Sequence, residues 1–322
     1  MNDRARIFGA VLATVLLFLG VQLGALALVE PFTESGMQAV EDPQDPTNSL
    51  LYFAVVLVMT GFMLAAFRYG ARRLVRAVVV VVSVMLAWFV FAEVLPPVVV
   101  VGAVGLLPLA AAAAVGVGLF VYPEWYVIDA AGVVMGAGAA GLFGISFGLL
   151  PAIVLLSVLA IYDAISVYRT GHMLSLAEGV MDLRIPVVLV IPTTLSYSFL
   201  ADEGPEALGG DGDGDAADPD REDAAGREAI FVGLGDAVIP TILVASAASF
   251  LDAPALGVPG IALNVPALGA LCGTIAGLLA LMYAVMQGRP HAGLPLLNGG
   301  AIGGYLLAAV ASGLPVATAL GL

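Results

Sequence analysis

The sequence predicts an all-α polytopic membrane protein of nine transmembrane helices, six before a long polar connection and three after it. Three observations carry this. Of the 322 residues, 61% are hydrophobic and the mean hydropathy is +1.06, against about 45–50% apolar content in soluble domains. Nine apolar runs approach or exceed the roughly 20 residues that a helix needs to cross about 30 Å of hydrocarbon. The arginines gather at alternate ends of those runs.

The first run, 7–29, follows Arg4 and Arg6 in the charge pattern of a signal peptide. It exceeds the 7–15 apolar residues of a cleavable signal and lacks a clear small-residue cleavage site, so it reads as a retained first span. Spans at 49–67, 75–94, 97–121, 126–147 and 149–168 complete a six-span part, residues 1–169. The connection 170–229 opens with a mixed segment, His172 to Arg184, and continues through a short apolar stretch, 186–200, interrupted by Pro192. That stretch reads as re-entrant or interfacial rather than as a tenth span. The connection ends in an acidic, glycine-rich run, Asp211 to Asp220, with the composition of a disordered segment. Its alternating aspartates resemble a calcium loop, but Ala216 stands where the sharp turn needs glycine. Spans at 230–250, 261–286 and 293–316 form the C-terminal part, residues 230–322.

Arginine placement orients the chain, because arginines flanking spans collect on the cytoplasmic side. With the N-terminus inside, Arg4, Arg6, Arg68, Arg72, Arg73, Arg76, Arg169, Arg184, Arg221, Arg227 and Arg289 all face the cytoplasm. The C-terminus then lies outside a multi-pass cell-membrane protein. The net charge of -14 is mostly local, since eleven of the 25 carboxylates fall between Asp202 and Glu228. The only cysteine, Cys272, lies in an apolar run, which excludes a disulfide framework or a cysteine metal site. No nucleic-acid partner, metal or cofactor is expected.

A carboxylate inside a span costs a few kcal/mol or more, so each marks a candidate function. Glu93 and Asp129 fall in the last turn of span three and the first turn of span five, where they reach the interface or serve a helix terminus. Asp163 and Asp236 differ. Each is six residues from a cytoplasmic span end, about 9 Å deep at 1.5 Å per residue. On depth alone they are equally a structural pair, a proton relay or a catalytic pair. Asp236 closes Gly233-Leu234-Gly235-Asp236, whose glycines remove side chains beside the carboxylate and admit a second backbone. Tyr162 precedes Asp163 and offers a ring and hydroxyl to bound a polar cavity.

Tyr162-Asp163 on the sixth span and Gly233-Leu234-Gly235-Asp236 on the seventh resemble the presenilin and signal peptide peptidase family of intramembrane aspartyl proteases. The nine-span plan and the long loop between spans six and seven extend the resemblance over essentially the whole chain. It implies a presenilin-like fold with Asp163 and Asp236 as catalytic residues. It also implies transmembrane peptides or signal-peptide remnants as substrates within the lipid bilayer, and it admits a homo-oligomer. The family's third mark, a Pro-Ala-Leu element on the last span, has two candidates. Literal Pro266-Ala267-Leu268 opens span eight on the outer face and reads as a helix start. Ala292-Gly293-Leu294-Pro295 opens span nine at the depth of the aspartates, and depth favours it.

By the resemblance, substrate backbone is received near Gly233 and Gly235 and near Leu294. Pro295 lacks an N–H and so frees the carbonyl of His291, and segment 170–200 is a candidate gate. Small residues about Asn298, Gly299, Gly300, Gly303 and Gly304 suit close helix packing. Peptide hydrolysis by such a pair needs one aspartate protonated and one ionised. A proton- or ion-coupled transporter is the alternative, but it predicts an inverted repeat that six spans plus three do not show. A prepilin-peptidase type would follow Gly-x-Gly-Asp with Lys-Leu, where this chain has Ala237-Val238.

Overall fold

In a computed structural model the chain is mostly helical, with residues 3–96, 98–101, 104–170, 187–193, 197–198, 229–286 and 292–322 described. The helices are α1 (Asp3–Glu34), α2 (Thr47–Arg68), α3 (Arg72–Val94), α4 (Leu106–Val121), α5 (Trp125–Ser146), α6 (Leu149–Ile165), α7 (Leu234–Phe250), α8 (Val265–Met286), α9 (Gly293–Ala311) and the short α10 (Val316–Ala319). A π-helical turn, Ser166–Thr170, continues α6. Strands β1 (Val100–Val101) and β2 (Val104–Gly105) form one small hairpin, and β3 (Val188–Pro192) and β4 (Ala229–Gly233) form a second antiparallel pair.

Among the described residues seven helices are long and apolar enough to cross a membrane. Helices α4 and α7 are apolar but shorter, at 16 and 17 residues. Both fall short of their apolar runs because part of each run becomes strand. Pro96 follows the end of α3, and β1 and β2 occupy part of the run before Leu106. Ala229 to Gly233, expected in part to open span seven, pairs instead with β3, from Val188↔Gly233 to Pro192↔Ala229. The stretch expected to be re-entrant or interfacial therefore supplies a strand that closes back on the start of α7. Its β-branched residues (Val188, Val190, Ile191) and those opposite (Ile230, Val232) suit a pleated pair. The mixed segment His172 to Arg184, the acidic run Asp211 to Asp220, Arg221, Arg227, Arg289 and His291 lie outside the described residues.

Helix α5 is the centre of the bundle: two thirds of its most apolar stretch is buried, against 6% for α2 at the edge. Small residues let it lie close to its neighbours. A Cβ on Gly144 would overlap Ala245 of α7, and one on Gly24 of α1 would meet Ala137 of α5. The same device joins α8 to α9. A Cβ on Gly269, Gly273 or Gly277 would strike the main-chain oxygen of Gly304, Gly300 or Leu296 respectively. Gly299 and Gly303 face open space, so only part of the span-nine glycine cluster packs helices.

Consecutive helices alternate in direction. At one end, Arg6 of α1 donates to Thr193 Oγ1 (3.2 Å), Val187 packs on Ala66 and Val75 beside the α2–α3 turn, and Val190 packs on Leu119 and Ile128 beside the α4–α5 turn. At the other end, the Gly148 N–H donates to the Pro43 carbonyl (2.7 Å), Ser49 Oγ to the Pro151 carbonyl (2.6 Å) and the Ala262 N–H to the Leu26 carbonyl (3.2 Å). There too Tyr305, fully buried, donates its hydroxyl to the Ala319 carbonyl at 2.7 Å and ties α10 to α9.

Candidate active site

Three segments meet at the end of the bundle that carries β3 and β4. Asp163 lies two residues from the C-terminus of α6 and is 4% exposed. Asp236 is the third residue of α7 and is half-buried. The first turn of α9 supplies Gly293, Leu294 and Pro295. The Leu294 N–H donates to Asp163 Oδ2 at 3.0 Å, and the Gly293 N–H interacts with the same carboxylate. A Cβ on Gly293 would stand 3.3 Å from Asp236 Oδ2 and 3.4 Å from its Cγ and Oδ1. The two carboxylates interact electrostatically, and both lie against the Gly293-Leu294 backbone.

Each segment has a local reason for its place. The first N–H groups of a helix have no partner within it, and in α9 these are the groups that meet Asp163. Pro295 falls in that first turn, where a missing N–H costs nothing. The expected freeing of the His291 carbonyl concerns a residue outside the described ones. Tyr168, in the π-turn after α6, accepts the Ala292 N–H on its hydroxyl at 3.3 Å, and Asn298, one turn into α9, donates from Nδ2 to the Leu156 carbonyl at 2.8 Å. These bonds hold α9 against α6.

Gly233 ends β4 and precedes α7 with φ −59° and ψ 132°, a conformation open to any residue. A Cβ there would stand 3.4 Å from Asp236 Oδ2, an ordinary contact, so the carboxylate lies directly beside this glycine. Gly235 is exposed, and a Cβ on it would meet only Ile239, at 3.9 Å. Leu234 is buried among Phe18, Val21, Met135 and Leu189, and its N–H donates to the Val187 carbonyl at 2.8 Å. Tyr162 turns its ring edge-on to Phe53 of α2, with centroids 5.8 Å apart.

Two expectations change. Asp236 is not six residues inside a helix but in its first turn, so equal residue counts do not set the pair's depth; the β3–β4 pairing and the start of α9 bring it to Asp163. The Pro266-Ala267-Leu268 segment opens α8 at the far end of the bundle. Gly269 faces Gly304 and Ala308, which puts Pro266 at least about 15 Å from Leu294 along α9. Two residues were missed: Tyr168 and Pro240. Pro240 lies inside α7 and, four residues after Asp236, withholds the N–H that the Asp236 carbonyl would otherwise receive. The Asp-x-x-x-Pro spacing was the readable signal. Asp129, expected at the interface or serving a helix terminus, lies in the first turns of α5, is buried and accepts the Val190 N–H of β3 at 2.7 Å.

Fold and site define a polytopic helical membrane protein with two interacting carboxylates at one end of its bundle. Residues 15–314 match the family described as signal-peptide peptidase, presenilin aspartyl protease, and the chain belongs to that family. Two solved structures of a presenilin family intramembrane aspartate protease, in space groups C222 and P2, are each 35% identical to it. The first superposes with a TM-score of 0.65 over 94% of this chain and 99% of the other, and the second with 0.64 over 93% and 97%. No curated protein matches. The activity is that of an intramembrane aspartyl protease, a hydrolase; a transporter is not favoured.

Proposed function

We propose that Asp163 and Asp236 are the catalytic pair and that they hydrolyse peptide bonds of transmembrane segments or signal-peptide remnants within the bilayer. The observation that carries this is the Gly293-Leu294 backbone, which donates to Asp163 while its glycine makes room for the carboxylate of Asp236. In this reading the pair shares one proton. The ionised member takes a proton from water as the oxygen attacks the scissile carbonyl, and the protonated member donates to the carbonyl oxygen. Collapse of the tetrahedral intermediate passes a proton to the leaving amine and restores the shared proton.

A substrate helix must surrender its own hydrogen bonds before it can be cut. The register of β3 and β4 supports a place for the opened strand. Leu234 bonds to Val187, and hydrogen-bonded pairs alternate with non-bonded ones in an antiparallel ladder. The main-chain N–H and carbonyl of Gly233 therefore point away from β3, on the side of β4 where a third strand would add. Gly235, exposed and without a side chain, leaves that approach open.

We read the architecture as nine spans, six plus three, with α4 and α7 as the short ones, an N-terminus in the cytoplasm and a C-terminus outside. The alternating helix directions support it, as does the grouping of Arg6 and the α2–α3 turn with the carboxylate end. Tags at the two termini, probed by protease in sealed vesicles, test the orientation.

The dyad is tested by cleavage of a reporter transmembrane segment by the purified protein in liposomes. Asp163→Asn and Asp236→Asn are each expected to lower the rate by about a thousandfold, within the range for removal of a general acid or base. Full activity in either variant removes that residue from the chemistry.

A further inference from the structure

We infer that Asp129 is a positioning residue for the hydrolytic site, anchoring β3 to α5 and so, through β4, the first turn of α7 that carries Asp236. This rests on the dyad assignment above. Asp129 stands in the first turns of α5, is 6% exposed, and accepts the Val190 N–H on Oδ1 at 2.7 Å. It touches neither catalytic carboxylate in this account and acts through the strands.

The pairing shows why that N–H is available. Leu234 donates to the Val187 carbonyl, so residues 189 and 191 exchange hydrogen bonds with β4, while 188, 190 and 192 turn their main-chain groups away from it. Asp129 supplies an acceptor on that outer edge. Side-chain burial alone does not fix the register, because Leu189, Val190 and Ile191, on both faces of β3, are buried at 0%, 1% and 1%. A two-residue slip preserves the faces but brings either Val188 or Pro192 to Asp129. Pro192 has no N–H, which would leave a buried carboxylate without its donor. A slip toward Val188 would displace the hairpin by about 7 Å, two residue rises, and carry Gly233 away from Gly293. The carboxylate therefore ties β3 to α5 at Val190, a fixed point that side-chain burial does not supply.

The reference point is also a buried one. Helix α5 is the centre of the bundle and lies against both α1 and α7. A bond from α5 to β3 thus ties the strand pair to the most buried of the candidate spans, and β4 leads directly into the first turn of α7.

The test uses the full chain in liposomes and one reporter transmembrane segment, reading the positions of the cuts by mass spectrometry together with kcat and KM. Asp129→Ala is expected to lower kcat by about tenfold to a hundredfold, the cost of misplacing a reacting bond by about 1 Å, and to spread the cut over neighbouring peptide bonds. Asp129→Asn, whose amide oxygen still accepts from Val190, is expected to restore the wild-type cut pattern. Unchanged cut positions and kcat in Asp129→Ala, or failure of Asp129→Asn to restore the pattern, overturns the inference. If Asp129→Ala does not fold, Val190→Pro removes the same bond from the strand side; a spread pattern supports the inference and a wild-type pattern overturns it. Asp236→Asn, run alongside, separates the two readings: cleavage by that variant defeats the dyad assignment, whereas altered cut positions report on Asp129 alone.

Discussion

The Leu294 main-chain N–H points at Asp163 Oδ2 from 3.0 Å, so the start of the last long helix and the end of the sixth are joined by the same carboxylate that is assigned to the chemistry. The contact makes the geometry of the pair sensitive to the backbone of α9, and it separates substitutions that alter the site from those that alter only the bundle.

Gly293→Ala places a methyl group 3.3–3.4 Å from the Asp236 carboxylate, tighter than ordinary contact. The reporter-cleavage rate is expected to fall by about tenfold or more as the carboxylate is displaced, with little change in melting temperature. Gly299→Ala, which meets nothing within 4 Å, is expected to cleave at the wild-type rate.

Leu294→Ala and Leu268→Ala discriminate between the two candidate Pro-Ala-Leu elements. Leu294 is buried beside the dyad, and Leu268 is partly exposed at the other end of α8. We expect the first to lose most of its activity and the second to stay within about twofold of wild type, since a solvent- or lipid-facing change away from the site costs little. The reverse order in a kcat/KM comparison would assign the element to α8.

Gly273→Leu drives a side chain into the Gly300 backbone, which has no rotamer by which to yield. Overpacking of this kind costs about 1–3 kcal/mol or more, read as a lower melting temperature in detergent. Gly303→Ala, on the open face of α9, is expected to leave it unchanged.

Tyr305→Phe removes the bond to the Ala319 carbonyl from a fully buried ring. The expected loss is about 1 kcal/mol of stability, with the cleavage rate per folded molecule unaltered because the bond lies at the far end of the bundle.

The helical plan was legible because a membrane span announces itself by length and apolarity alone. Asp163, Asp236 and the α9 start were legible for a second reason: carboxylates are rare where lipid is the solvent, and glycine beside one of them means space. What could not be read was the fate of apolar residues that do not span. Val188 to Pro192 and Ala229 to Gly233 carry the composition of a membrane segment, and only their partnership across 36 intervening residues makes them a sheet. That pairing moved the start of α7 from 230 to Leu234 and thereby changed the basis of the depth argument. The partner of Asp129 was illegible for the same cause, since it belongs to a strand the periodicity did not announce.

Both carboxylates meet a helix beginning, although Asp163 is itself carried near the end of α6. Asp236 is in the first turn of α7, and Asp163 receives the first N–H groups of α9. Each such terminus presents about half a positive elementary charge from its aligned peptide dipoles, so the two together supply about one. A pair sharing a single proton carries one negative charge. The backbone thus brings its own counter-ion to the site, fixed in place by folding and unable to diffuse away when lipid or substrate closes over it.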